Sequence, residues 1–79
     1  MWYVYVLRSE VDENLYIGST NDLKRRLNEH NSGGVAATKP RRPLVLEAYL
    51  AVGSEEKARD LEQYCKSGSG HAFLNKRML

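Results

Sequence analysis

The sequence predicts a small α/β domain of the α+β type, with its elements in the order β-β-α-β-α-α. Three observations carry this. A hexapeptide of aromatic and branched residues, Trp2 to Leu7, is followed by a short apolar return at Leu15 to Ile17. Two later stretches, beginning at Asp22 and Glu55, set apolar residues three and four apart, the second behind a capping Ser54. Between them, Leu44 to Leu50 alternates with the period of a strand. The chain has 79 residues, enough for one domain and one small core.

Composition excludes several classes. An apolar fraction of 42% with 28% charged residues describes a folded chain, not a disordered one. The net charge of +2 permits a nucleic acid partner without demanding one. Cys65 is the only cysteine, which rules out an intrachain disulfide and a cysteine-based zinc site. No apolar run approaches the ~20 residues of a membrane span, and Met1-Trp2-Tyr3 does not open a secretory signal. The chain is read as cytosolic.

In the first strand Trp2, Val4 and Val6 share one face, and Tyr3, Tyr5 and Leu7 share the other. Ser9 to Asn14 is a polar loop, so the first two strands form an antiparallel hairpin. A register with Tyr5 opposite or diagonal to Tyr16 clusters phenols on one face; plain cross-strand packing is the simpler reading. The chain then turns at Gly18 and enters a helix near Asn21. Ser19, Thr20 and Asn21 either cap that helix or contact an anion at its N-terminus, where backbone N–H groups lack partners.

The first helix is expected over Asp22 to Asn31, stopped by Gly33-Gly34. Leu23 and Leu27 mark its core face, and Arg26 and His30, four residues apart, flank that face together. Lys24 and Arg25 point toward solvent. Arg26 is either a snorkelling side chain or a cleft residue, and His30 either a satisfied core histidine or its neighbour in that cleft. Ser32 to Pro43 is a flexible loop whose Lys39, Arg41 and Arg42 suit a phosphodiester backbone, or simply water.

The third strand places Leu44, Leu46, Ala48 and Leu50 on one side and Val45, Glu47 and Tyr49 on the other. Ser54 caps a second helix, Glu55 to Lys66, with Glu55 and Glu56 complementing its dipole. Ala58, Leu61 and Cys65 form its apolar stripe, and Glu62 falls inside it. A carboxylate there is either ion-paired to a nearby cation, or a metal ligand or acid–base group. Lys66 to Gly70 reads as a Gly/Ser turn carrying a cation, and His71 to Leu79 as a short final helix anchored by Phe73.

Taken together, these residues resemble the GIY-YIG nuclease superfamily, specifically its small standalone members. The second half of that name is present as Tyr16-Ile17-Gly18, and the first half in degenerate form as Tyr3-Val4-Tyr5. Arg26 and His30 match the helix that follows, and Glu62 matches the glutamate of the later helix. The resemblance covers essentially the whole chain. It implies a three-stranded antiparallel sheet flanked by helices, and metal-dependent hydrolysis of a phosphodiester in DNA.

The roles it implies are Tyr16 as general base and Tyr5 as orienter or alternate base, with His30 on the same catalytic face. Arg26 would hold the scissile phosphate, and Glu62 one Mg²⁺ or Mn²⁺ ion whose other ligands are mostly water and phosphate oxygens. An unperturbed phenol ionises near pH ~10, so neighbouring cations must lower it. Asn75 stands where the family's last motif would fall. Lys39, Arg41, Arg42 and Lys66 are the cations left to grip DNA, and the resemblance leaves room for a protein partner. Two other classes compete: a nucleic-acid-binding module without catalysis, and a phosphoanion-binding domain built on Gly18-Ser19-Thr20, which lacks a glycine-rich loop or phosphate-binding lysine.

Overall fold

The computed structural model describes residues 1–78. Strands β1 (Trp2–Ser9), β2 (Leu15–Thr20) and β3 (Leu44–Val52) form one antiparallel sheet in the order β2-β1-β3. The helices are α1 (Leu23–Asn31), α2 (Glu55–Lys66) and α3 (Gly68–Phe73), and a π-helical turn, Leu74–Met78, follows. A short 3-10 turn, Lys39–Arg41, interrupts the long loop before β3. The predicted order β-β-α-β-α-α and the three-stranded antiparallel sheet are both present.

The two faces of β1 build two cores. Val4 and Val6 pack with Ile17, Ala58, Cys65 and Leu74, so α2 and the turn after α3 cover one face. Tyr5 and Leu7 pack with Leu44, and Leu23 and Leu27 of α1 close the other. Each fully buried aliphatic side chain contributes about 1.5–3 kcal/mol, which makes the central strand the main stabilising element.

Strand β3 departs from simple alternation. Val6 pairs with Ala48 but Leu7 pairs with Leu46, so Glu47 is an extra residue at a bulge. Leu44, Leu46, Ala48 and Leu50 therefore do not share a side. Leu44 and Leu46 join the α1 core, whereas Ala48 and Val52 join the α2 core. The bulged Glu47 accepts a hydrogen bond from Arg8 Nε at 3.1 Å.

Gly18 is not a turn but lies within β2, where pairing continues through Ser19 to Thr20 opposite Tyr3. Helix α1 begins one residue later than expected because Asp22 is its cap, accepting from the Arg25 N–H. The Gly/Ser stretch after Lys66 is likewise not a turn. Ser67 caps α3 by accepting from the Gly70 N–H, and Gly70 lies so close to the Tyr64 carbonyl and Cys65 Cα that a side chain would collide with them. That close crossing explains glycine inside a helix. Leu74, 1% exposed, is the anchor of this segment instead of Phe73, which is 37% exposed. Asn75 is exposed on the π-helical turn, and Leu79 lies outside the described residues.

Candidate active site

The β1–β2 register decides which groups meet. Tyr5 is directly opposite Gly18 and Leu7 is opposite Tyr16, so the two phenols are diagonal neighbours on one face of the sheet. The Tyr5 ring lies over Gly18, where a β-carbon would overlap it. Helix α1 lies across the same face and brings His30 down between them. The His30 ring stands edge-on to both phenols, with centroids 5.6 Å from Tyr5 and 5.1 Å from Tyr16.

His30 is fully buried and both its ring nitrogens are engaged. Nε2 meets the Tyr5 hydroxyl at 2.9 Å, and Nδ1 meets Thr38 Oγ1 at 2.7 Å. Burial, reinforced by the Arg26 charge, lowers the His30 pKa and favours the neutral imidazole. Burial raises the Tyr5 hydroxyl above the ordinary phenol value, while the Arg26 guanidinium beside it pulls the other way. The Glu62 carboxylate adds to that rise, so it stands within electrostatic reach of the Tyr5 oxygen. Arg26 itself is held more firmly cationic, first by Tyr5 and then by Glu29, whose carboxylate is 3.4 Å away.

Glu62 approaches from the other layer. Helix α2 packs on the edge strand β2, and the Glu62 side chain is 20% exposed. Its carboxylate accepts from Lys66 Nζ at 2.7 Å, one helical turn on. Among the described residues no group of three or more His, Cys, Asp or Glu side chains could enclose a metal ion. A single carboxylate supplies one ligand, so an ion held there would have to keep most of its water shell.

Beside Arg26 the surface is hollowed. Trp2, Ser19, Thr20, Asn21, Arg25, Arg26 and Glu29 line an open depression of about 410 Å³. Arg25, expected to face solvent, is exposed but forms part of this wall. Thr20 Oγ1 accepts from the Asp22 N–H at 3.1 Å and so helps to cap α1, leaving Ser19 and Asn21 facing the hollow.

The predicted site residues thus divide. Tyr5, Tyr16 and His30 form one contact cluster, and Arg26 and Glu62 act on it electrostatically. The loop cations are elsewhere. Arg41 is pinned to the β1–β2 loop by Asp12 at 3.1 Å and by the Asn14 carbonyl at 3.0 Å. Arg42 donates to the Lys39 carbonyl at 2.9 Å, and Lys39 is exposed. Thr38 went unnoticed in the sequence, because no local pattern marks a threonine in a loop as the partner of a helix histidine.

The profile of the GIY-YIG catalytic domain matches residues 1–76. A UPF0213 protein of Vibrio campbellii is 42% identical over 66 residues, which are 82% of this chain and 62% of that one. This chain therefore spans less than two thirds of that relative. A UPF0213 protein of Streptococcus agalactiae is 41% identical over 73 residues, covering 91% of this chain and 82% of its own. The solution NMR structure of the UPF0213 protein BH0048 from Bacillus halodurans superposes with a TM-score of 0.60 at 34% identity, over 99% of this chain and 87% of that one. Among the described residues no helix is long and apolar enough to cross a membrane. With the paired tyrosines, Arg26 and His30 assembled on one sheet face and the profile matched over residues 1–76, the chain belongs to the GIY-YIG family.

Proposed function

We propose that this domain is a metal-dependent DNA endonuclease that hydrolyses phosphodiester bonds. The observation that carries the reading is the buried Tyr5–His30 hydrogen bond at 2.9 Å with Arg26 against the same hydroxyl. A phosphate-binding surface needs an arginine, but it has no use for a phenol joined to a neutral imidazole. Hydrolysis does, because a proton must leave the attacking water.

In this reading Arg26 takes a non-bridging oxygen of the scissile phosphate and offsets the charge that grows there. Tyr16, half-buried, is the general base for water, and Tyr5 is the orienter or alternate base. His30 gives Tyr5 a place to send its proton, which supports that alternate role. Glu62 is the residue that would hold one Mg²⁺ or Mn²⁺ ion, with water and phosphate oxygens completing its shell. When bound, the ion supplies Lewis-acid polarisation of the phosphate. Lys39, Arg42 and Lys66 are offered to the flanking backbone, with Arg41 contributing to the same patch while it anchors the loop. A cytosolic setting and a protein partner belong to the same proposal.

The test is cleavage of labelled single-stranded, duplex and branched DNA with Mg²⁺ or Mn²⁺. Wild type is run beside Tyr5→Phe, Tyr16→Phe and Glu62→Ala. Cutting by wild type that both Tyr16→Phe and Glu62→Ala abolish supports the assignment. Loss with Tyr5→Phe but not Tyr16→Phe moves the base to Tyr5. Unimpaired cutting by Glu62→Ala sinks the metal role.

The Glu62–Lys66 pair favours a second reading, because a carboxylate satisfied by a lysine can be purely structural. The domain would then bind nucleic acid without cleaving it. Binding would weaken with salt and be indifferent to metal and to Glu62→Ala.

A further inference from the structure

Directionality fixes the protons in the Tyr5–His30–Thr38 chain. Arg26, the cation beside the Tyr5 oxygen, has only donors and cannot take the Tyr5 proton. Tyr5 is 2% exposed, and its own proton needs an acceptor. His30 Nε2, 2.9 Å away, can serve only if it carries no hydrogen. The neutral ring then bears its proton on Nδ1, which donates to Thr38 Oγ1 at 2.7 Å. The Thr38 hydroxyl hydrogen goes on to the Val35 carbonyl at 3.4 Å, which can only accept. Every group is satisfied, and no other arrangement leaves the Tyr5 proton with a described acceptor.

The geometry points to Thr38 as a positioning residue for the nuclease reaction, holding His30 in the tautomer whose bare Nε2 receives the Tyr5 proton. This rests on the nuclease reading above, in the form where Tyr5 serves as the alternate base. When the Tyr5 O–H bond breaks, the proton moves to Nε2, leaving a phenolate on Tyr5 and an imidazolium on His30. The imidazolium still donates from Nδ1 to Thr38 and from Nε2 to Tyr5, so nothing must reorient. An orienter of this kind acts through the imidazole without touching substrate. Thr38 is itself rigidly placed. It is fully buried, and the N–H groups of Thr38 and Lys39 both donate to the Val35 carbonyl, at 3.1 and 3.0 Å.

Thr38→Val keeps the shape and removes the hydroxyl, whereas Thr38→Ser keeps the hydroxyl. The first readout needs no activity: ¹⁵N NMR of the His30 ring nitrogens, which reports where the proton sits. Wild type and Thr38→Ser should show Nδ1 protonated, and Thr38→Val should lose that preference. In the cleavage assay Thr38→Val should lower kcat roughly tenfold to a hundredfold, the range for losing a hydrogen-bonded outer partner, at unchanged KM. Its pH–rate profile should shift while that of Thr38→Ser does not. Nε2 protonated in wild type overturns the assignment, as does Thr38→Val keeping both tautomer and kcat. Equal damage from Thr38→Ser and Thr38→Val also overturns it, since the hydroxyl would then not matter. If wild type shows the Nδ1–H tautomer but cleaves no DNA, the nuclease reading fails and the catalytic role of Thr38 falls with it. Should Thr38→Val not fold, the wild-type tautomer and the Thr38→Ser rate still decide the question.

Discussion

Gly18 lies directly opposite Tyr5 across the β1–β2 pair, and the Tyr5 phenol occupies the space where a β-carbon of residue 18 would be. The glycine of the Tyr16-Ile17-Gly18 motif is thus a space reservation for the Tyr5 phenol, not a turn residue. Gly18→Ala should displace the Tyr5 ring, break its bond to His30 and destabilise the fold by about 1–3 kcal/mol, the range for overpacking a core. Urea unfolding measures this. Adding Tyr5→Leu to Gly18→Ala should recover part of the stability, because residues in contact are not additive, while cleavage stays absent. A Gly18→Ala variant with unchanged stability and activity would contradict the packing described.

Stability should fall on mild acidification because of His30. Its folded pKa lies below the unfolded value of about 6.5, mainly through burial. Between those two values the unfolded chain binds more protons, so stability rises with pH through that window and is lost as pH falls below about 6.5. Urea midpoints compared from about pH 8 down to pH 5 should decline in wild type and stay flatter in His30→Gln. Asp12 acts later. Its carboxyl is held below the ordinary value of 3.8, first by the Asn14 backbone N–H, so that contribution is lost only under stronger acid and persists in His30→Gln.

Much of this was legible in the sequence because the period-two pattern of β1 sorts its side chains correctly. Val4 and Val6 do face one core, and Tyr5 and Leu7 the other. The hairpin then had only a few registers to choose from, and the realised one makes Tyr5 and Tyr16 diagonal neighbours. Alternation failed in β3, where the bulge at Glu47 moves Leu44 and Leu46 to the α1 side. A one-residue insertion inverts every later side chain, and composition carries no mark of it. The Gly68–Phe73 helix was hidden because glycine normally argues for a turn, and only the crossing against Tyr64 and Cys65 shows why it is needed. Thr38 was hidden because its partner is eight residues away through a loop of irregular shape.

Glu62 and Lys66 make a separable prediction. Their pair is one helical turn apart and Lys66 is 54% exposed, so it contributes little to stability. Glu62→Gln should change the urea-unfolding free energy by no more than about 0.5 kcal/mol. Mn²⁺ binding, followed by calorimetry or electron paramagnetic resonance, should nevertheless be lost. Lys66→Ala should leave Mn²⁺ binding intact or strengthen it, because the ammonium no longer competes for the carboxylate. Equal Mn²⁺ binding by wild type and Glu62→Gln would remove Glu62 from the metal assignment.

The loop cations can be told apart by the same pair of measurements, stability and salt dependence. Arg41 reaches back to Asp12 and to the Asn14 carbonyl, and its own carbonyl accepts from the fully buried Ser9 hydroxyl at 2.7 Å. Replacing it removes a tie between the loop before β3 and the β1–β2 loop. With both partners of the ion pair partly exposed, Arg41→Ala should cost about 1 kcal/mol in urea unfolding. Lys39 is exposed and makes no ion pair among the described residues, so Lys39→Ala should leave stability unchanged. A lysine on one phosphate releases about 0.7 of a counterion per contact with single strands. Lys39→Ala should therefore flatten the salt dependence of binding to single-stranded DNA by about that amount, read by fluorescence anisotropy over a series of salt concentrations. If Arg41→Ala flattens the slope equally without loss of stability, its bond to Asp12 yields to phosphate and the whole loop acts as one binding patch.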